Sequence, residues 1–375
     1  MNKKIKVLQI VWRFNTGGAE RIVVNFHNYF SNNKDIQIRT LSFTPSKGEI
    51  WEKELCGGDV KYIPQLWYER IPRCMRILPK LIFHKRDRKK WFLSQIIEYK
   101  PDIIHIHLAN MASELYETCK SLPKTIRIYY HMHSMPEAVP SKYRSNIIKA
   151  FSNNTYIPLC VTEQQLQSAK RIYGISDSEI IYNGIDESNF TDINLTDEDI
   201  KELKDSFKIS YDEFVIGTIG RGAPIKNFPL LAKIAAIIAQ KRKTVLLMIG
   251  EISEELRNCI LANSGNAKVI FTGQRSDTNK LYRLFDVFVS TSFYESSSIV
   301  TVEAQLSGIP CVISYAISDE VIISNGVTKI SPEEKPELWA NAIEQIAGSK
   351  MELQGEEKFK FENSINNLLR IYKTK

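Results

Sequence analysis

The chain has 375 residues, 43% of them hydrophobic and 25% charged, which leaves room for two cores and excludes disordered and collagen-like classes. Its six cysteines are scattered without a Cys-x-x-Cys pair, which argues against a disulfide framework or a cysteine zinc site and for a reducing compartment. The net charge of +7 is local: between Lys61 and Lys100 eleven Lys or Arg outnumber three acids, so one segment carries the excess and points to a negatively charged partner.

The first residues are basic, but the apolar run after them is short and leads into a Gly-Gly turn. They read as a first strand, Val7 to Trp12, and not as a signal peptide. No apolar run reaches the roughly 20 residues that cross a bilayer. After the strand come Gly17 and Gly18, then Ile22, Val23, Phe26 and Phe30 at helical spacing. Strand, glycine turn and helix open a doubly wound sheet. The glycines let backbone amides approach a phosphate or sugar, or serve only as a tight turn. A dinucleotide fingerprint is absent.

Strands follow at Ile36 to Phe43, Val60 to Pro64, Ile103 to Leu108, Ile126 to His131, Ile157 to Val161 and Ile180 to Tyr182. The alternation with helical patterns predicts a parallel sheet with ligands at the carboxyl ends of its strands. Two histidine pairs, His105 with His107 and His131 with His133, sit at such ends, each pair on one side of its strand. They come from separate strands and no Asp or Glu shares their spacing, so no metal site is assigned. His133, beside Ser134, is the better candidate for a sugar or phosphate contact; His105 and His107 read as structural.

The basic segment Arg70 to Lys90 interleaves cations with Trp, Phe, Ile and Leu, and Pro72 and Pro79 argue against a long helix. It suits an anionic membrane face or an anionic lipid-linked substrate, or an exposed basic helix. No nucleic-acid recognition motif accompanies it.

From Asn183 to Asp186 the character turns polar and acidic, marking a domain boundary. Asp197-Glu-Asp199 matches a metal–nucleotide signature, but Thr196 as a helix cap with acids in the first turn explains it better. The second half restarts the alternation, with strands at Phe214 to Ile219, Val245 to Ile249, Val269 to Phe271, Val287 to Ser290 and Val312 to Ser314. After the first of these, Arg221 and Lys226 place two cations at a strand tip, suited to a diphosphate. Gly273 lies at another carboxyl end. Glu295 and Glu303 flank seven residues that run from a polar turn into a helix beginning near Ser297. That stretch is either an anion site of backbone amides with a carboxylate for a ribose diol, or an ordinary exposed helix. A basic amphipathic helix with Phe359, Ile365, Leu368 and Tyr372 ends the chain.

Taken together, these pieces resemble the family 4 retaining glycosyltransferases, which have the GT-B fold. The matching residues are Gly17-Gly-Ala-Glu-Arg21, His131-Met-His133, Ile181-Tyr-Asn-Gly-Ile-Asp186, Gly220-Arg221 with Lys226-Asn227, and Phe271-Thr-Gly273. The match continues through Asp286-Val-Phe-Val, Glu295 with seven residues to Glu303-Ala-Gln, and Ser307-Gly-Ile-Pro310. It covers nearly the whole chain and looks closest to bacterial members that build exopolysaccharide or capsule.

The resemblance implies an α/β protein of two Rossmann-like doubly wound parallel-sheet domains facing a central cleft. The expected parts are an acceptor-side domain over 1–185, a linker over 186–212, a nucleotide-sugar domain over 213–354, and a helix over 355–375 crossing back to the first domain. The implied activity is transfer of a sugar, with retention, from a nucleoside-diphosphate donor such as a UDP-sugar to a glycan or lipid-linked acceptor. No metal and no cofactor is expected; the nucleotide-sugar is a substrate. Arg221 and Lys226 would hold the diphosphate and Glu303 the ribose. Glu295 and the amides of Ser297, Ser298 and Ile299 would face the donor sugar and phosphates, with Gly273 at the same edge. Gly17 and Gly18 would line the cleft, and His133 would meet sugar hydroxyls. The expected location is the cytoplasmic face of the membrane.

One residue departs from the family pattern: Ser296 stands where glycine usually follows the first glutamate. A positive φ there would strain the turn by about 1 kcal/mol, and it raises the alternative of a catalytically silent subunit. A sugar-nucleotide epimerase on the same fold is a further alternative.

Overall fold

The computed structural model describes residues 3–15, 17–65 and 77–374, with 77–84 given by their backbone. It forms two compact units, Met1–Ile181 together with Ile365–Lys375, and Tyr182–Ser364.

The first unit holds a seven-stranded parallel sheet of β1 (Ile5–Val11), β2 (Ile36–Ser42), β3 (Asp59–Tyr62), β4 (Ile103–Ile106), β5 (Arg127–His131), β6 (Ile157–Cys160) and β7 (Glu179–Ile180), ordered β3-β2-β1-β4-β5-β6-β7. Such strands are covered on both faces, so their sequences are continuous apolar runs: Val7, Leu8, Ile10 and Val11 of β1 are fully buried. The helix Gly18–Ser31 buries Ile22, Val23, Phe26 and Phe30, the face expected from their spacing.

Two corrections concern the basic segment. Residues 70–76 lie outside the described residues, but the helix that follows runs 23 residues, Ile77–Tyr99, with Pro79 inside it. Proline is tolerated there because the first-turn amides have no partner within the helix. Arg88, read as part of an exposed basic surface, is buried. It donates to Glu114 (3.0 and 3.1 Å) and to the Phe43 carbonyl (2.7 Å), and lies over the Trp12 ring. Lys85, Arg86, Lys89 and Lys90 are exposed.

The second unit has six parallel strands, β8 (Phe214–Ile219), β9 (Thr244–Ile249), β10 (Lys268–Gly273), β11 (Val287–Ser290), β12 (Cys311–Ser314) and β13 (Val327–Ile330), ordered β10-β9-β8-β11-β12-β13. Sequence patterning does not find β13, an edge strand of only four mixed residues, mostly half-buried. Residues 186–212, expected as a linker, pack with this unit. Phe190 and Ile209 are buried in its core, and Arg283 donates to the Phe190 carbonyl (3.2 Å). Thr196 caps the helix Asp197–Ser206 and exchanges hydrogen bonds with Asp199, a capping box. Asp199 is therefore engaged at the helix start, as the capping interpretation of this acidic stretch requires.

In both sheets the strand order reverses once, at β1 beside β4 and at β8 beside β11. Ligands of open α/β sheets bind outside the carboxyl ends of the strands at such reversals.

The last helix, Phe361–Lys373, contributes its residues from 365 on to the first unit. Arg127 donates to the carbonyls of Ile371 (3.2 Å), Tyr372 (2.5 Å) and Thr374, and Arg370 pairs with Glu179 (2.6 Å). A guanidinium at a helix C-terminus satisfies carbonyls that have no partner within the helix.

Candidate active site at the carboxyl edge of the second sheet

The loops after β8 and β11 emerge side by side at the reversal, and three hydrogen bonds join them. Thr291 Oγ1 donates to the carbonyls of Lys226 (3.0 Å) and Asn227 (3.1 Å), and the Phe293 amide donates to the Ile225 carbonyl (2.8 Å). Asn227, at φ 51°, turns the chain into the helix Phe228–Ile238. Asparagine tolerates this left-handed conformation better than most residues. The stitching brings Lys226 and Glu295 together: Lys226 Nζ lies 2.8 Å from Glu295 Oε2, each side chain about one-fifth exposed (18% and 20%). Arg221, five residues before Lys226, is exposed and makes no ion pair among the described residues.

Gly250 holds the first of these loops in place. At φ 132° it adopts a conformation closed to L side chains, and a Cβ there would fall 2.2 Å from the Gly220 carbonyl oxygen. Its amide donates to the carbonyl of Gly273 (2.9 Å), and Gly220 N donates to the Ile249 carbonyl (2.9 Å). The carboxyl ends of β8, β9 and β10 are thereby locked together, and Gly273 (φ 71°) is part of that lock.

The second loop runs into the helix Ile299–Leu306. Ser296 is buried and its φ is not positive, so the turn accepts serine without strain. The motive for a silent protein falls away with it. Ser297 and Ser298 are buried as well. The Ser297 hydroxyl oxygen has no hydrogen-bond partner among the described residues. Buried hydroxyls are normally paired, so this one stands out on the loop. The Ser298 hydroxyl accepts from Thr301 Oγ1 (2.9 Å) and does not cap the helix. The Ile299 amide donates to the Ser297 carbonyl (2.9 Å). In this conformation, then, Ile299 has its N–H turned inward, unlike the expected phosphate contact.

Glu303 is 3% exposed, and its Oε2 accepts from the Tyr282 hydroxyl (3.0 Å), which also reaches the Val300 carbonyl (3.0 Å). Gln305, on the same helix, is fully used. It donates to the carbonyls of Thr301 and Val321 and accepts from the Ile323 amide and Ser324 hydroxyl. It pins the loop after β12 to the helix.

Arg221, Lys226, Gly273, Glu295, Ser297, Ser298, Ile299 and Glu303 thus belong to one unit and one sheet edge. Gly17, Gly18 and His133 belong to the other. Gly17 is extended (φ −164°) and precedes a helix start with no side-chain cap. The two histidine pairs, read as separate, converge because β4 and β5 are neighbours. His105, His107 and His131 are fully buried, and one ring nitrogen of each lies within 4.8 Å of the others. His107 Nδ1 lies 3.0 Å from His133 Nε2. Burial pushes His105 down to about 3 and holds His107 and His131 well below the usual imidazole range, so all three are neutral.

Sequence reasoning alone misses Thr291, Gly250, Tyr282 and Gln305. The first three carry no local signature. Gln305 stands close to Glu303, but its role is visible only when its four partners are assembled.

The chain has relatives both in sequence and in fold. Residues 16–189 match the family described as Glycosyltransferase Family 4, and residues 213–349 match Glycosyl transferases group 1. EpsF of Bacillus subtilis (strain 168), a glycosyltransferase by name, is 27% identical over 364 residues, covering 92% of this chain and 88% of its own. The UDP-Gal:alpha-D-GlcNAc-diphosphoundecaprenol alpha-1,3-galactosyltransferase of Escherichia coli is 27% identical over 154 residues, 39% of this chain and 38% of its own. Among solved structures, Anabaena HepE in complex with UDP-glucose superposes with a TM-score of 0.72 at 18% identity, covering 99% of this chain and all of that one.

Proposed function

Because the chain belongs to the family 4 glycosyltransferases and has their GT-B fold, we propose that it moves a sugar, with retention, from a UDP-sugar to a lipid-linked glycan in cell-surface polysaccharide synthesis. The observation that carries this reading is the stitched pair of loops at the β8–β11 reversal. It brings Lys226, on the loop that carries Arg221, to Glu295, on the loop that leads through the unpaired Ser297 hydroxyl into a helix. The acceptor class rests on the Escherichia coli enzyme, whose name specifies a diphosphoundecaprenol-linked sugar.

The departing diphosphate gains negative charge as the glycosidic bond breaks. Arg221 and Lys226 are assigned to receive it, together with the positive end of the helix Ile299–Leu306. This supports a reaction in which protein cations, and not a divalent ion, neutralise the leaving group; Asp199, the other candidate for a metal–nucleotide motif, is committed to its cap. The Lys226–Glu295 pair is exchanged when the diphosphate arrives, since Lys226 then meets a second anion. Glu295, released toward the sugar, stabilises positive charge developing at the anomeric carbon. Front-face attack by the acceptor hydroxyl, with the departing phosphate taking its proton, is preferred to a double displacement on Glu295. Glu303, held by Tyr282, takes a ribose hydroxyl. The first unit is assigned the acceptor side, while its Gly17 and Gly18 are assigned to donor binding and His133 to the sugar hydroxyls.

The test is a thermal-shift screen of nucleoside diphosphates and their sugars, followed by product analysis with a lipid-linked acceptor. A ligand at 100 times its Kd adds about 2.7 kcal/mol to stability. Uridine nucleotides are expected to raise the unfolding midpoint and guanosine nucleotides to leave it unchanged. Formation of an isomerised donor without release of diphosphate would instead identify an epimerase.

The proposed membrane contact rests on the exposed Lys85, Arg86, Lys89 and Lys90. No helix among the described residues is long and apolar enough to cross a membrane. Co-sedimentation with anionic vesicles is expected to exceed that with neutral vesicles and to fall as salt rises. Equal binding to both overturns the contact.

A further inference from the structure

The histidine cluster of the first unit has a composition that packing alone does not explain. His105 and His107 alternate along β4 and its exit, and His131 ends β5 beside them. Each is 0% exposed. Nε2 of His105 and of His107, and both ring nitrogens of His131, have no hydrogen bond of normal geometry among the described residues. A buried polar atom without a partner forfeits its hydration with nothing in return. Several in one place call for a ligand that accepts no proton and takes lone pairs.

We propose that His105, His107 and His131 bind one transition-metal ion of the class that prefers imidazole nitrogen, Zn²⁺ foremost. Neutral imidazoles are ready ligands, whereas imidazolium would be unsolvated in this setting. The remaining ring nitrogens of His105 and His107 are already engaged as a metal site requires. His105 Nδ1 meets the Tyr372 hydroxyl at 2.5 Å, and His107 Nδ1 meets His133 Nε2 at 3.0 Å. An Nδ1–H donor in each of these two contacts leaves the Nε2 lone pair of that ring free. Partners of this kind fix the tautomer and orientation of metal-binding histidines. The nitrogens lie within 4.8 Å of one another. Tetrahedral coordination at a Zn–N distance of about 2.1 Å needs them about 3.4 Å apart, so the ion must draw the rings together and turn them out of the stacking of 24° and 19° that His105 shows with His107 and His131. Three nitrogens leave a fourth position for water. No carboxylate belongs to the set, so the oxygen-preferring Mg²⁺ and Ca²⁺ are not its ions.

Tyr372 lies on the last helix. The ion would therefore tie β4 and β5 to the segment that completes the first unit, which makes it a structural brace. The diphosphate departure proposed above does not pass through it.

The experiment uses the tag-free full chain, stripped with a chelator and shown by circular dichroism to be folded. Co²⁺ is titrated in, with its visible ligand-field absorption as the readout, and is then displaced by Zn²⁺. One Co²⁺ per chain with tetrahedral absorption, a raised unfolding midpoint, and no competition by Mg²⁺ are expected. His131→Gln should weaken binding about 100-fold or more. Tyr372→Phe, which keeps all three ligands and is less prone to misfold, should weaken it about tenfold. No absorption with the wild-type chain overturns the proposal. So does Co²⁺ binding that both variants leave undiminished.

Discussion

Turnover by the Arg221→Ala, Lys226→Ala double variant is expected to fall by about 10²-fold or more, the loss seen when a donor to a developing oxyanion is removed. The two side chains differ in kind. Arg221 is exposed and offers a planar fork to a phosphate. Lys226 is mostly buried and already bonded to Glu295 at 2.8 Å. Removing Lys226 leaves the Glu295 carboxylate uncompensated beside an incoming diphosphate, so Lys226→Ala should be worse than Arg221→Ala. Replacing Glu295 by Gln in the Lys226→Ala background should then recover part of the donor affinity, though not the turnover. That recovery is a coupling between contacting residues, the kind of term a double-mutant cycle isolates. Initial rates over a range of donor concentrations separate the two effects. Turnover near normal in the Arg221→Ala, Lys226→Ala variant would exclude this loop as the diphosphate site.

The second large effect is expected at Gly250. An alanine there combines a φ of 132° with a Cβ 2.2 Å from the Gly220 carbonyl oxygen and 2.8 Å from its carbon. The obstacle is backbone, which cannot swing aside as a side-chain tip does. Strain and overpacking of this kind each cost about 1–3 kcal/mol. Gly250→Ala should therefore lose about 3 kcal/mol or more, or about 6–12 °C in the unfolding midpoint of a unit this size. Because Gly220 must move, Arg221 moves with it, and the KM for donor should rise together with the loss of stability. Gly273→Ala is the comparison: φ is 71° but nothing lies within 4 Å of its Cβ, so only about 1 kcal/mol of strain is expected. Equal midpoints for the two variants would refute the account of the lock.

Much of this edge is legible in the chain because parallel strands announce themselves. Runs such as Val245 to Ile249 are apolar without interruption, and the residues just after each run lie at the carboxyl edge. That places Arg221, Gly273 and Glu295 correctly without any coordinates. The pairing of Lys226 with Glu295 is different. The two are 69 residues apart, and their contact depends on β8 lying beside β11 and on a threonine hydroxyl in between. Patterning also mistakes the basic segment. Whether Arg88 faces solvent or Glu114 is decided by Trp12 and Phe43, which come from other parts of the chain. The histidine pairs show the same limit. Same-side alternation is readable within each strand, but the meeting of His107 with His131 depends on the order in which strands join the sheet.

The split of the first unit across the chain has a consequence for its biogenesis. Its sheet is encoded before residue 182, yet Ile365–Lys375, which carry Tyr372 and the carbonyls clasped by Arg127, are made after the entire second unit. During synthesis the second unit is the part that can finish without waiting, since it is one uninterrupted stretch. The earlier-made sheet emerges with the Arg127 donors and the ring of His105 still lacking their final partners. Nascent chains tethered just short of Ile365 should thus carry a protease-resistant second unit beside a first unit still open to cleavage.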